Sequence, residues 1–181
     1  MKIERRAERI KEALEPVVTD LLAAGVRLNA HPNVRLLHFE DYPIGLPIIL
    51  SHLTRPYDDL PKSEIAFALS FTKNKYTRAI WPDIAALYAN TPNTAKPFQD
   101  NPDHWPSETK SALANALVRL YQPKHFDHLI DLVRDGRNGE TRVILLGPLL
   151  RVRNRREGLR ATLEALKADP GLNIELTARG I

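Results

Sequence analysis

The sequence predicts an all-α protein, a right-handed α-α superhelix (solenoid) of about four helical hairpins, and three observations predict it. An apolar triplet with helical spacing recurs four times along the chain. A second helical pattern, different from the first, falls between these recurrences. Each of these second helices opens on a cation at the same position.

The triplets are Leu46, Leu50 and Leu53; Ile80, Ile84 and Leu87; His125, Leu129 and Leu132; and Leu159, Leu163 and Leu166. Spacing of four and then three places all three side chains on one face of a helix. The last members follow one another at intervals of 34, 45 and 34 residues, which marks an internal repeat. Only His125 departs from the apolar rule. Between the triplets stand Ile65 with Leu69, Leu113 with Leu117, and Leu145 with Leu149, each pair four apart, and three residues before each pair stands Lys62, Lys110 or Arg142. A striped helix, a turn and a second helix opening on a base therefore make one repeated unit.

The remaining segments follow in chain order. Ile3, Ala7, Ile10, Leu14, Val17 and Leu21 keep a four-three rhythm and predict an N-terminal amphipathic helix ending near Gly25, with Pro16 kinking or splitting it at Glu15. Such a helix suits a terminal cap, which a repeat array needs because its end unit lacks a neighbour. Residues 26–43 have no clean period and predict a connector with at most one short helix. Residues 1–43 thus form a capping helix and irregular connector, and residues 44–181 one continuous array. The long middle interval is explained by NTPNTAKPFQDNPDHWPSE, residues 90–108, where four prolines forbid a continuous helix. Pro106 and Ser107 then start the next helix. At the far end DPGLNIELTARGI is long enough only for a truncated closing helix.

A family comes into view at HFDHLIDLVRDGRNGETRVILLGPLL, residues 125–150. Striped helix, aspartate-bearing turn and base-opened helix resemble the HEAT repeat. Asp135 and Arg142 resemble the turn acid and second-helix base that link neighbouring HEAT units, and Pro47 and Pro82 resemble the proline early in the first HEAT helix. The resemblance covers residues 44–168. It departs from the pattern where GRNG lengthens the Asp135–Arg142 spacing and where no turn aspartate stands beside Asn90. It implies a binding scaffold whose second helices line a concave face.

Composition narrows the function classes. Of 181 residues 43 % are apolar and 27 % charged, the usage of an ordinary folded domain. No apolar run approaches the roughly 18 residues that span a bilayer, so no membrane partner is expected. The first 15 residues are charged throughout without an apolar h-region, so no signal peptide is expected and cytoplasm is the default compartment. The absence of cysteine excludes disulfides, thiolate metal sites and cysteine nucleophiles. No dinucleotide loop, phosphate loop or serine elbow occurs. No catalytic residue, metal or cofactor is therefore assigned.

The expected function is a non-catalytic scaffold or adaptor that binds another protein through its concave face. Its candidate contacts are Phe67, Phe71, Asn115, Arg119, Arg151 and Arg153. Phe67 and Phe71 lie four apart, off the Ile65–Leu69 stripe, and exposed aromatics anchor interfaces. The alternative partner is nucleic acid. Between Arg134 and Arg160 eight arginines face three acids, and guanidinium forks pair with phosphate or carboxylate. The candidate anion-binding residues are Arg151, Arg153, Arg155, Arg156 and Arg160. Against this stands an ordinary solvated turn with Arg142 tied into a ladder between repeats. His125 and His128, near Asp127 and Asp131, share a helix face but lack a third strong ligand, so His125 is expected to pack. Trp81, Tyr88, Trp105 and Tyr121 invite comparison with HEAT-like DNA glycosylases, with Asp83 beside Trp81. No glycosylase motif supports it, and Trp81 is expected to pack between hairpins.

Overall fold

The first helix, α1 (Lys2–Ala23), buries Leu14, Val17 and Leu21, half-buries Ile10, and runs unbroken through Pro16. The expected split at Glu15 does not occur. Pro16 removes one hydrogen bond to the Glu12 carbonyl, but both residues are exposed, so water takes the freed oxygen. Gly25, at φ 79°, closes the helix: the amide of Val26 donates to the Leu21 carbonyl and that of Gly25 to the Leu22 carbonyl. The computed structural model describes residues 2–28, 41–70, 73–94 and 107–181, with side chains in α1 from Glu8 onward. The connector over 29–40, Phe71, and residues 95–106 of the insertion (with Trp105 and Pro106) lie outside the described residues.

Four helical hairpins follow. The first is α2 (Tyr42–Leu53) with α3 (Asp59–Ala68), which starts two residues earlier than expected because Pro43 suits a first helical turn. A five-residue helix, α4 (Lys75–Ala79), precedes the second hairpin, α5 (Trp81–Asn90) with α6 (Glu108–Leu120). Two more pairs complete the chain: α7 (Phe126–Arg134) with α8 (Arg142–Val152), and α9 (Leu159–Leu166) with α10 (Pro170–Ala178). Among the described residues there are ten α-helices and no strand, so the protein is all-α.

Both helical patterns mark buried faces. Ile65, Leu69, Leu113, Leu117, Leu145 and Leu149 are all fully buried. They join the triplets in one apolar cluster that extends from Leu14 in α1 to Leu176 in α10. The middle helix α6 touches α3, α5 and α8 and is enclosed almost all round. Ala112, Ala114 and Ala116 alternate there with Leu113 and Leu117, and small side chains let three neighbours approach one helix.

Each second helix contacts the next: α3 with α6, α6 with α8, α8 with α10. Polar ties at their N-terminal ends fix their direction. The Asp59 carboxylate, in the first turn of α3, accepts from the Ser107 hydroxyl (2.7 Å) and from the amides of Glu108 (2.7 Å) and Thr109 (3.2 Å), capping α6 from the preceding hairpin. Ser107 also accepts from the Lys110 amide, as expected of an N-cap. The Tyr88 hydroxyl meets Thr141 at 2.9 Å, and the Asn93 amide donates to the Arg137 carbonyl at 2.8 Å. At the last junction both terminal nitrogens of Arg142 donate to the Asp169 carboxylate, which caps α10 through the Gly171 amide.

The repeated cation has a common task. Lys62 donates to the Arg55 carbonyl (3.2 Å), Lys110 to that of Thr91 (2.8 Å), and Arg142 to those of Gly139 (2.8 Å) and Val133 (3.2 Å). Each base reaches back to carbonyls left open where its own hairpin turns. The link between hairpins differs from the expected one: Arg142 pairs with Asp169, whereas Asp135 pairs with Arg137 inside its own turn. The GRNG stretch explains this. It forms a 3-10 turn in which Asp135 caps the Arg137 amide and Gly139 takes φ 65°, so the acid is committed locally.

Candidate functional site

Beyond the buried stripe, the second helices define a surface groove. One hollow, about 640 Å³, is lined by Ser70 just past α3, Lys73, Asn115, Val118 and Arg119 of α6, and Arg151 of α8. A second, about 500 Å³, lies between α8 and α10. Val143, Ile144, Leu146, Gly147 and Leu150 floor it, and Arg151, Arg153, Glu175 and Arg179 edge it. The two hollows meet at Arg151. They also adjoin at Gly147 and Val118, where a Cβ on the glycine would lie 4.0 Å from the valine side chain.

The groove is basic. Lys73, Arg119, Arg151, Arg153 and Arg179 line it against one acid, Glu175, whose carboxylate is already engaged by Arg179 at 2.7 Å. Arg119 and Arg151 stand in the last turns of α6 and α8, where cations offset the negative end of the helix dipole. Arg153 and Arg179, the C-cap residues of α8 and α10, stand at helix ends in the same way. Of the cations on this rim only Lys73 lies away from the C-terminal end of a helix. Arg153 donates to the Leu150 carbonyl at 3.1 Å, and Asn115, which is exposed, donates to that of Ser111 at 2.9 Å.

Four of the six candidate contacts, Asn115, Arg119, Arg151 and Arg153, therefore come together in one groove. Phe67 does not join them. It is half-buried against the core, because α3 touches α1, α2 and α6 and little of its circumference stays open. Phe71 lies outside the described residues. The candidate arginine cluster is divided. Gly158, at φ 73°, turns the chain after α8. Arg156 folds onto the Phe126 ring at 3.3 Å and approaches Asp127 at 3.6 Å, on the α7 side. Arg155 and Arg160 are exposed and do not line the groove. Lys73 and Arg179 were missed by sequence reasoning; Arg179 sits four residues after Glu175 on the closing helix, a spacing that could have placed it.

The other candidate residues take structural places. Trp81 is fully buried and its indole N–H donates to the Leu117 carbonyl at 3.0 Å. His125 stacks on that indole (4.3 Å between ring centres, planes 8° apart), and His128 meets its edge at 5.3 Å. Burial holds the His125 imidazole below its ordinary pKa of 6.5, with Lys124 and His128 adding to the effect. Tyr88 is buried and pushed up to about 12. Burial also lowers Lys110, whose ammonium lies 5.0 Å from the centre of the Tyr88 ring. Among the described residues no three His, Asp or Glu gather as a metal site would require.

A further titratable cluster joins α1 to the first hairpin. The enclosed His52 meets the Tyr57 hydroxyl through Nδ1 and the Asp20 carboxylate through Nε2 (2.8 Å), and Arg55 also donates to Asp20 (3.1 Å). Those bonds, from His52 first, hold Asp20 below the ordinary carboxylate range. Desolvation raises Tyr57, so its hydroxyl keeps its proton. The cluster serves as a staple at the α1 end. Polar side chains from all four hairpins converge on the groove, and its arginines offer forked donors for carboxylate or phosphate beside an apolar floor. Compared with known proteins, the chain has no match: no family model, no curated protein and no solved structure is similar to it.

Proposed function

We propose that this protein is a non-catalytic scaffold, a HEAT-like right-handed solenoid that binds another protein along its second helices. The observation that carries the proposal is the convergence of Asn115, Arg119, Arg151 and Arg153 on a single groove. The hairpins α2–α3, α5–α6, α7–α8 and α9–α10 contact one another in sequence through α3, α6, α8 and α10, the arrangement in which stacked units share one face. The Arg142–Asp169 pair is consistent with a ladder between HEAT-like units.

The second reading, nucleic-acid binding, rests on the basic rim of the same groove. It is weakened by the division of the arginine cluster and by the burial of Trp81, which removes that ring from any cleft where a base could stack. Affinity capture with the full chain, with and without nuclease, separates the two. A protein retained after nuclease treatment supports the scaffold. Loss of all bound material with nuclease refutes it in favour of nucleic acid, whose affinity would also fall steeply with salt.

A further inference from the structure

We infer that the groove takes an acidic segment of a partner protein, one in which apolar side chains alternate with carboxylates. The inference rests on the scaffold proposal and adds the chemistry of the occupant. Charge complementarity is the first argument: five cations line the groove, and its single acid, Glu175, is held by Arg179. Among the described residues no carboxylate pairs with Lys73, Arg151 or Arg153. A rim of one sign attracts the opposite sign and sets which partners approach.

The second argument is the floor. Val118, Val143, Ile144 and Leu150 are partly buried hydrophobics packed on the core, and they sit between the charged edges. Apolar side chains there gain about 25 cal/mol per Å² of surface removed from water. A polyphosphate backbone gains nothing from such a floor. No aromatic side chain among the described residues lines the groove, so those residues offer a single nucleic-acid strand no platform on which to stack its bases. A polypeptide carrying both carboxylates and leucine-like side chains satisfies floor and rim together.

The test uses the full chain and fluorescence anisotropy with labelled probes of about a dozen residues or nucleotides: Glu-Glu-Leu repeats, poly-glutamate, Lys-Lys-Leu repeats and oligothymidine. The expected order is Glu-Glu-Leu tightest, poly-glutamate and oligothymidine weaker, and Lys-Lys-Leu unbound. Arg151→Glu with Arg153→Glu is expected to weaken the Glu-Glu-Leu probe by at least about tenfold. Arg155→Glu with Arg160→Glu, exposed and outside the groove, should change it by less than about twofold. Thermal melts of both double variants check that they fold. Equal losses in the two double variants overturn the inference, as does oligothymidine binding more tightly than the acidic probe. If a partner captured by the wild-type chain is lost in the Arg151→Glu, Arg153→Glu variant while acidic probes show no affinity, the acidic occupant is refuted and the scaffold stands. If capture is indifferent to that variant, the groove itself is refuted as the site.

Discussion

Arg142→Met tests whether the repeated cation holds the array together. Arg142 is 4 % exposed, and its guanidinium serves the Val133 and Gly139 carbonyls and both oxygens of Asp169. Methionine keeps the unbranched apolar stem of the side chain and removes every donor. A buried carbonyl left without a donor costs about 1–3 kcal/mol. Breaking an enclosed ion pair by removing one partner costs about 3–5 kcal/mol. The Asp169 side chain is 30 % exposed and rehydrates in part, which brings the expected total to about 3 kcal/mol. For a chain of this size that is a fall in Tm of about 6–12 °C. Arg142→Lys keeps the charge but not the fork and should cost about 1–2 kcal/mol. Urea unfolding followed by circular dichroism gives these values, and a cycle with Asp169→Ala should show about 1–2 kcal/mol of coupling. Asp135→Asn is the comparison, because its partner Arg137 is 90 % exposed and water screens such a pair. If Arg142→Met costs less than about 1 kcal/mol, or no more than Asp135→Asn, the ladder argument is wrong.

Three other outcomes follow from the same geometry. Asp59→Ala removes a cap and a negative charge from the start of α6 and should cost about 1–2 kcal/mol in chemical denaturation, with Asp59→Asn intermediate. Gly139→Ala must adopt φ 65° and ψ −154° and would place a Cβ 2.6 Å from the Asn93 side chain; a loss of about 1–3 kcal/mol is expected, and an unchanged melt contradicts the turn geometry. The pH profile should have two stages. His125 is depressed below 6.5, so its contribution is complete above that pH and is lost as pH falls through its lowered value. Asp20, Asp135 and Asp169 are depressed below 3.8, so theirs is lost only further into acid. His125→Gln should flatten the first stage and leave the second, as read from unfolding free energies across pH.

The hairpins were legible because burial imposes a period on local sequence. The apolar members of the stripes, from Leu46 to Leu166, sit on faces the structure covers wholly or in part, and the pairs Ile65–Leu69, Leu113–Leu117 and Leu145–Leu149 are enclosed. The same period placed Asn115 and Arg119 four apart on one side of α6, so the groove was partly visible in advance. Contacts between distant residues were not legible. Asp59 with Ser107, Asp20 with His52, and Arg142 with Asp169 are separated by 48, 32 and 27 residues, and no local pattern encodes such pairings. The short helix α4 left a signal that went unused: Asn74 and Thr77 form a capping box over three residues. Phe67 misled because its own helix left it open, and only the neighbours of α3 cover it.

Four hydrogen-bonded ties between neighbouring hairpins share one border. Asp59 to α6, Tyr88 to Thr141, Asn93 to Arg137 and Arg142 to Asp169 all lie where the second helices begin, whereas the hollow lined by Asn115, Arg119 and Arg151 lies toward their ends. These directional bonds stiffen the hairpins against shear along the border they stitch. The array should therefore flex like the leaves of a bound book. Small rotations about the spine change the mouth of that hollow most, so its width can adjust to an occupant without breaking any of the ties that hold the hairpins in order.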